Sequence, residues 1–84
     1  DSTAFGVMKG LQDLNIKIPG DVSIIGYDNT LLSTYMNPSL ASVNIDAERE
    51  AKLAVEILVN HIYNNNAPIR KEEIDVELIE RNSL

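Results

Sequence analysis

The sequence contains no cysteine and no tryptophan, and its single histidine is His61. A chain without cysteine can form neither a disulfide nor a thiolate metal site, which fits a reducing cytoplasm. A lone histidine has no second ligand beside it, so we interpret His61 as a surface residue rather than a metal ligand or a nucleophile. We therefore expect neither a bound metal nor a cofactor.

Basic residues are scarce, with 7 Lys and Arg against 13 Asp and Glu and a net charge of -6. A DNA-binding domain should present a basic face, so we expect no helix-turn-helix within these residues. No apolar run approaches the roughly 20 residues that span a bilayer, and nothing resembles a signal peptide, so no membrane association is expected.

Motifs that carry catalysis are also missing. There is no nucleophile elbow, no phosphate loop and no metal-binding histidine pair. Gly6 and Gly10 lack the spacing and the preceding strand of a dinucleotide fingerprint. Since they lie four residues apart on one helix face, they instead predict the close approach of another backbone. We do not expect the chain to be an enzyme.

Apolar residues recur at helical spacing in two segments. The first helix is predicted from Ser2 to Leu14, with Asn15 as a left-handed stop. The second is predicted to be capped by Asp46 and to run to about Tyr63, with acidic residues in its first turn, where the helix dipole favours anions. Its buried stripe is expected to contain Ala47, Ala51, Ala54, Val55, Leu58 and Ile62.

Strand patterns occupy three other segments. Val22 to Gly26 is apolar without alternation, as in a parallel strand buried on both faces, and Ala41 to Ile45 is a second candidate. In the tail, Ile74, Val76 and Leu78 alternate with Glu73, Asp75 and Glu77, which predicts a half-buried strand. Ile79 breaks that alternation, so a bulge or a change of side is expected there.

A short helical turn over Leu31 to Tyr35 completes the order helix, strand, helix, strand, helix, strand. This alternation predicts an α/β fold with a mainly parallel sheet flanked by helices. We find no second domain within residues 1–84.

Three side chains near the first strand are candidates for ligand binding. Asp28 follows the carboxyl end of that strand, where open α/β sheets bind ligands, and its carboxylate could accept hydrogen bonds from two sugar hydroxyls. Stabilising a turn is the commoner role of such an aspartate. Asp1 is more typical of a helix cap, with ligand binding as the alternative. Tyr27, like Tyr35, could stack on a ligand or fill an interface, and core packing is equally compatible.

The chain also resembles a known family in the order and spacing of four segments. They read Asp1-x-x-Ala4-x-Gly6, Ile18-Pro19-x-Asp21-Val22-Ser23-Ile24-Ile25-Gly26-Tyr27-Asp28-Asn29, Tyr35-x-x-Pro38-x-Leu40-x-x-Val43 and Leu78-Ile79-Glu80-Arg81-Asn82-Ser83. Together they cover nearly the whole chain. They resemble the C-terminal stretch of the lactose-repressor/galactose-repressor (LacI/GalR) family of transcription regulators.

The resemblance implies a two-lobed, periplasmic-binding-protein-like domain, of which this chain would be most of the C-terminal lobe. An effector, usually a sugar or another small metabolite, would bind between the lobes. A separate N-terminal helix-turn-helix would bind operator DNA, and the effector would change its affinity for the operator.

The resemblance also assigns residues. Asp28 matches the family's effector-binding carboxylate, and Asp1 matches the acidic member of an Asn-Asp pair, so Asp28, Asp1 and Tyr27 form the predicted effector site. Phe5 and Tyr35 match positions at the homodimer contact. The neighbouring Leu31, Leu32 and Met36 are expected to extend that contact as an apolar patch.

Two other functions remain open on the sequence alone. An exported sugar-binding protein of a transport system shares the implied fold, and a signal peptide upstream would distinguish it from a cytoplasmic repressor. Because exported binding proteins are typically monomers, the apolar residues Leu31, Leu32 and Tyr35 favour a dimeric repressor. An enzyme of the α/β class is the remaining alternative.

Overall fold

The computed structural model describes all of residues 1–84, which divide into two compact units. The first unit contains residues 1–45 and 76–84, and the second contains residues 46–75. None of the helices has the length and apolar character needed to cross a bilayer.

The first unit begins with helix α1, Ser2–Asp13, within one residue of the predicted bounds. Asn15 adopts the left-handed conformation, with φ of 59°, and thereby ends the helix as expected. The close backbone approach predicted at Gly6 and Gly10 is wrong for this chain, because no atom of another segment lies within 4 Å of a Cβ built at either position.

A three-stranded sheet lies at the centre of the first unit, in the order β1-β2-β3. β1 spans Ile25–Tyr27 and pairs in parallel with β2, Ala41–Asn44, as predicted for the first two strands. Helix α2, Leu31–Tyr35, connects them. β3, Glu77–Ile79, pairs antiparallel with β2. The α/β class is therefore confirmed, and the sheet is mixed.

β1 is shorter and more exposed than its apolar sequence predicts. Val22 belongs to the preceding turn, where its N–H donates to the Lys17 carbonyl, and the strand begins only at Ile25. Ile25 is 49% exposed, so burial on both faces is wrong for these residues. β1 is an outer strand with one open edge, and α1 is the helix of this unit that packs against it, so its faces are only partly covered.

β3 is also shorter than predicted, because Ile74 and Val76 lie before it. The predicted bulge at Ile79 is absent, since Ile79 pairs with Ser42 and Leu78 with Val43 in regular register. β2 contains only four residues, so only the last residues of the predicted strand, Glu77–Ile79, find a partner in it.

The core of this unit is small and consists of Ala4 and Met8 from α1 with Leu40 from the segment before β2. Ser83, in the segment after β3, is also fully buried. The Ser83 hydroxyl accepts a hydrogen bond from the Ala41 N–H at 2.8 Å and donates one to the Ile24 carbonyl at 2.7 Å. One side chain therefore joins the chain end to the segments that lead into β1 and β2.

The second unit consists of helix α3, Ala47–Tyr63, and the segment after it. Asp46 caps α3 as predicted, since its carboxylate accepts the Arg49 N–H at 3.0 Å. After the helix, a hydrogen bond from the Arg70 guanidinium to the Glu72 carboxylate raises the pKa of Arg70.

The predicted buried stripe of α3 is exposed within this unit, and no residue of the helix is buried. Residues 64–75 form neither a helix nor a strand, so nothing in the unit covers the apolar face. Helical periodicity identifies an apolar face but does not say what packs against it.

Candidate functional site

The candidate site lies in the loop of Asp28, Asn29 and Thr30, which follows the carboxyl end of β1 and leads into α2. Asp28 and Asn29 have φ of 102° and 49°, a conformation that Asp and Asn tolerate better than most residues. The Asp28 N–H donates to the Val43 carbonyl at 2.9 Å. The loop is thus anchored at the end of the parallel pair β1 and β2, where ligand sites occur in such sheets.

The Asp28 side chain is exposed, and no ion pair or hydrogen bond within the chain engages its carboxylate. Both oxygens are therefore available to an external donor. A carboxylate is an acceptor at both oxygens and can receive hydrogen bonds from two neighbouring hydroxyls of a polyol.

Asp1 has a different role from the helix cap suggested by its position, since its side chain makes no capping hydrogen bond to α1. One carboxylate oxygen accepts from the Thr30 N–H at 2.7 Å and from the Thr30 hydroxyl at 2.9 Å. The other accepts from the Ser42 hydroxyl at 2.6 Å. These bonds use three of its about four acceptor positions, and they tie the loop to the start of α1.

Gly26 permits this arrangement. A Cβ at position 26 would overlap the Asp1 carboxylate oxygen and would lie 2.8 Å from Leu40 Cδ2. The Asp1 oxygen cannot withdraw freely, because Ser42 holds it. Glycine is needed here for the close approach of a side chain.

Asn29 is held through all of its side-chain polar atoms. Its side-chain amide donates to Asn44 Oδ1 at 3.1 Å. In addition, its backbone N–H donates to the Ser42 hydroxyl at 2.9 Å. Its own Oδ1 accepts from the Arg81 guanidinium at 2.5 Å. Arg81 also donates to Ser33 Oγ at 2.8 Å and to the Leu40 carbonyl at 2.7 Å.

Sequence reasoning did not assign roles to Ser42, Asn44 or Arg81. A signal was present for the first two, because polar residues within a short, otherwise apolar strand point to a specific partner. Arg81 stood in the segment quoted for the family resemblance, but its partner Asn29 is 52 positions away, so only the fold shows the contact.

Tyr27 is 50% exposed and its carbonyl accepts from the Asp1 nitrogen at 2.6 Å. It lies at an open groove of about 690 Å³ that runs between α1 and β1. The groove does not include Asp28, and much of its wall is apolar, with Ala4, Val7 and Ile25 among its residues. A polyol requires converging polar groups, so the loop is the better ligand site.

The predicted dimer residues fall into two groups. Leu31, Leu32 and Tyr35 on α2 are exposed, by 72%, 62% and 73%. Phe5 and Met36 are half-buried and pack against the core. Leu31 and Tyr35 are four residues apart and share one face of α2, so the structure leaves an exposed apolar surface on this short helix.

The chemistry available at the loop is recognition by hydrogen bonding. The only histidine, His61, belongs to the second unit, so the loop contains no histidine base beside a nucleophile. No group of three or more His, Asp or Glu side chains is arranged to hold a metal ion.

Comparison with known proteins finds relatives that are transcription regulators. The family model that describes the periplasmic binding protein-like domain matches residues 1–84. The HTH-type transcriptional repressor PurR of Vibrio atlanticus (strain LGP32) is 39% identical over 84 residues, which is 100% of this chain and 25% of the repressor. The chain thus spans about a quarter of the length of this curated relative.

Two solved structures of similar sequence contain sugars. The LacI family transcriptional regulator of Enterococcus faecalis V583, with bound ribose, is 34% identical, with a TM-score of 0.83 over 99% of this chain and 31% of its own. The periplasmic binding protein/LacI transcriptional regulator of Alkaliphilus metalliredigens QYMF, complexed with D-xylulofuranose, gives the same identity, TM-score and coverage. The relatives are transcription regulators, which favours a regulator over a transport protein.

Proposed function

The chain belongs to the periplasmic binding protein-like domain family, with LacI-type regulators among its relatives, and on that premise we propose that it is the effector-binding portion of a sugar-responsive transcriptional repressor. The longer protein would act in the cytoplasm. It would bind operator DNA through a helix-turn-helix outside residues 1–84 and would form a homodimer.

The observation that carries this proposal is the free carboxylate of Asp28 on a loop whose other members are held. Asn29 and Thr30 bond to Ser42, Arg81 and Asp1, whereas the Asp28 carboxylate has no partner within the chain. A preorganised loop that leaves one acceptor pair open is suited to bind a ligand, because little ordering entropy remains to be lost on binding.

We assign the residues of the site different tasks. Asp28 would accept hydrogen bonds from two sugar hydroxyls, and the half-exposed ring of Tyr27 would stack on the sugar. Asp1 would mainly hold the loop, since its carboxylate has about one acceptor position left for a ligand. The two neighbours with bound pentoses support a five-carbon sugar as the effector.

The same proposal assigns the exposed α2 surface of Leu31, Leu32 and Tyr35 to the homodimer, with Phe5 and Met36 supporting it from the core side. Effector binding would change the affinity of the longer protein for operator DNA through coupling between the two sites. The loop offers recognition without a catalytic pair, and the relatives are regulators, so we propose no enzymatic activity.

The experiment that tests the site is calorimetric titration of the full-length protein with D-ribose and D-xylulose. Asp28→Asn keeps the shape of the side chain but replaces one acceptor oxygen with a donor. We expect the affinity to fall by about tenfold or more, the effect of losing a charged hydrogen-bond pair. Asp75→Asn, at an exposed position of the second unit, is the matched control and should bind like the wild type.

The outcomes separate the parts of the proposal. A wild type that binds neither pentose contradicts the assigned effector class. Binding that survives in Asp28→Asn removes Asp28 from the site. Binding of a sugar without any change in retention of operator DNA, measured by mobility shift, contradicts the repressor function.

A further inference from the structure

The Arg81 guanidinium contacts three segments that are distant in the sequence. It follows β3 by two residues and is half-buried. It donates to Asn29 in the ligand loop, to Ser33 in α2 and to the carbonyl of Leu40 before β2. These bonds are directed toward the protein interior, so Arg81 does not need to touch the ligand to affect it.

The contacts form a closed network around the loop. The Ser33 hydroxyl, which accepts from Arg81, itself donates to the Thr30 carbonyl at 2.6 Å. Arg81 therefore holds the loop directly at Asn29 and indirectly at Thr30. Ser33 is fully buried on α2, the helix whose opposite residues Leu31 and Tyr35 are exposed. Because one guanidinium donates both to Asn29 in the loop and to Ser33 in α2, a displacement of the loop would also disturb the bond to α2.

We propose that Arg81 is a positioning residue that holds Asp28 in its binding geometry and couples the ligand loop to helix α2. The inference deepens the proposed function and rests on it. Nη1 donates to two acceptors and Nη2 to a third, as a planar fork allows. A lysine ammonium is a point charge on a flexible stem and cannot reproduce this geometry.

The coupling acts in both directions between the loop and α2. A sugar that binds Asp28 reduces the motion of the loop. Because Arg81 bonds to both the loop and Ser33, the motion of α2 is reduced as well. By linkage, a change in the packing of α2, such as dimerisation, alters the affinity for the sugar by the same factor. Without the fork, the loop remains linked to α2 only through the chain itself and the bonds between Ser33 and Thr30, so the coupling is weaker.

The test uses the full-length protein with Arg81→Lys, which keeps the charge. The matched control is Arg49→Lys on α3, because the Arg49 side chain makes no hydrogen bond and only its backbone N–H bonds to the Asp46 carboxylate. Ser83→Ala is a second control, because it weakens the buried contact at Ala41 without touching the ligand loop. Two readouts are compared, namely hydrogen exchange over residues 28–35 without ligand and the dissociation constant for D-ribose.

In Arg81→Lys we expect the amides of Asn29 and Ser33 to exchange about tenfold faster, because opening of the loop no longer breaks the charged hydrogen bonds. Sheet amides should stay protected, and the dissociation constant for ribose should rise by a similar factor. Ser83→Ala should lower the melting temperature while leaving the ribose affinity at the wild-type value, which separates positioning from general stability.

Exchange in Arg81→Lys that matches Arg49→Lys overturns the proposal, as does unchanged ribose affinity. A loss of affinity in Ser83→Ala equal to that in Arg81→Lys also overturns it, since general stability would then explain the effect. If the wild type binds no pentose, the assigned effector fails. The exchange readout then decides the role of Arg81 by itself.

Discussion

Replacement of Ser83 with alanine tests how the first unit is held together. The Ser83 hydroxyl is fully buried and has two backbone partners, the Ala41 N–H at 2.8 Å and the Ile24 carbonyl at 2.7 Å. Alanine removes the hydroxyl and leaves the remaining backbone bonds of residue 83 in place. The change therefore isolates two hydrogen bonds with almost no change in shape.

The magnitude follows from the burial of the two partners. Ala41 is fully buried, so its N–H would lose its partner without access to water, at a cost of about 1–3 kcal/mol. Ile24 is only half-buried, so its carbonyl can be rehydrated, and the loss there is about 0.5–1.5 kcal/mol. Together we expect Ser83→Ala to reduce the free energy of unfolding by about 1.5–4.5 kcal/mol.

Urea unfolding of the protein measures this difference, and the matched control is Ser23→Ala, an exposed serine that should change stability by less than about 0.5 kcal/mol. Native-state exchange of the Ala41 amide gives an independent local reading, since about 1.4 kcal/mol corresponds to tenfold. If Ser83→Ala and Ser23→Ala unfold at the same urea concentration with the same slope, the reasoning is refuted.

Two further changes test the loop bracing and the proposed dimer. Gly26→Ala should reduce the free energy of unfolding by about 1–3 kcal/mol and so lower the melting temperature, because the new methyl group displaces the Asp1 carboxylate from Ser42 and Thr30. An unchanged melting temperature would mean that this carboxylate is free to move. The double variant Leu31→Ser and Tyr35→Ser should sediment as a monomer, whereas Leu14→Ser, at a position 71% exposed, should stay dimeric; a dimer that survives the double change excludes this surface.

Local sequence signals predicted the elements that depend on local interactions. Asn15 ends α1 and Asp46 caps α3 because both effects act within one helical turn. The strand lengths were less well predicted. The lengths of β1 and β3 depend on how many residues of β2 are available for pairing, and neither segment's own sequence specifies that number.

The candidate site was predictable to a similar extent. Asp28 was placed correctly at the carboxyl end of a strand, since the apolar run before it marks where the strand ends. The bracing of the loop by Asp1, Ser42 and Arg81 was not predictable from spacing. These residues lie 13 to 52 positions from their partners in the loop or the strand beside it, and no local periodicity connects them.

The sequence by itself determined the α/β class, the helices with their ends, the family and the place of the Asp28 loop at the end of a strand. Each of these rests on periodicity, capping chemistry or a motif whose residues are close in the chain. Only the tertiary structure decided that Asp1 holds the loop, that Arg81 links it to α2 and that Ser83 is buried. Hydrogen bonds between distant segments form where folding brings donors and acceptors within about 3 Å, and sequence distance carries no information about that.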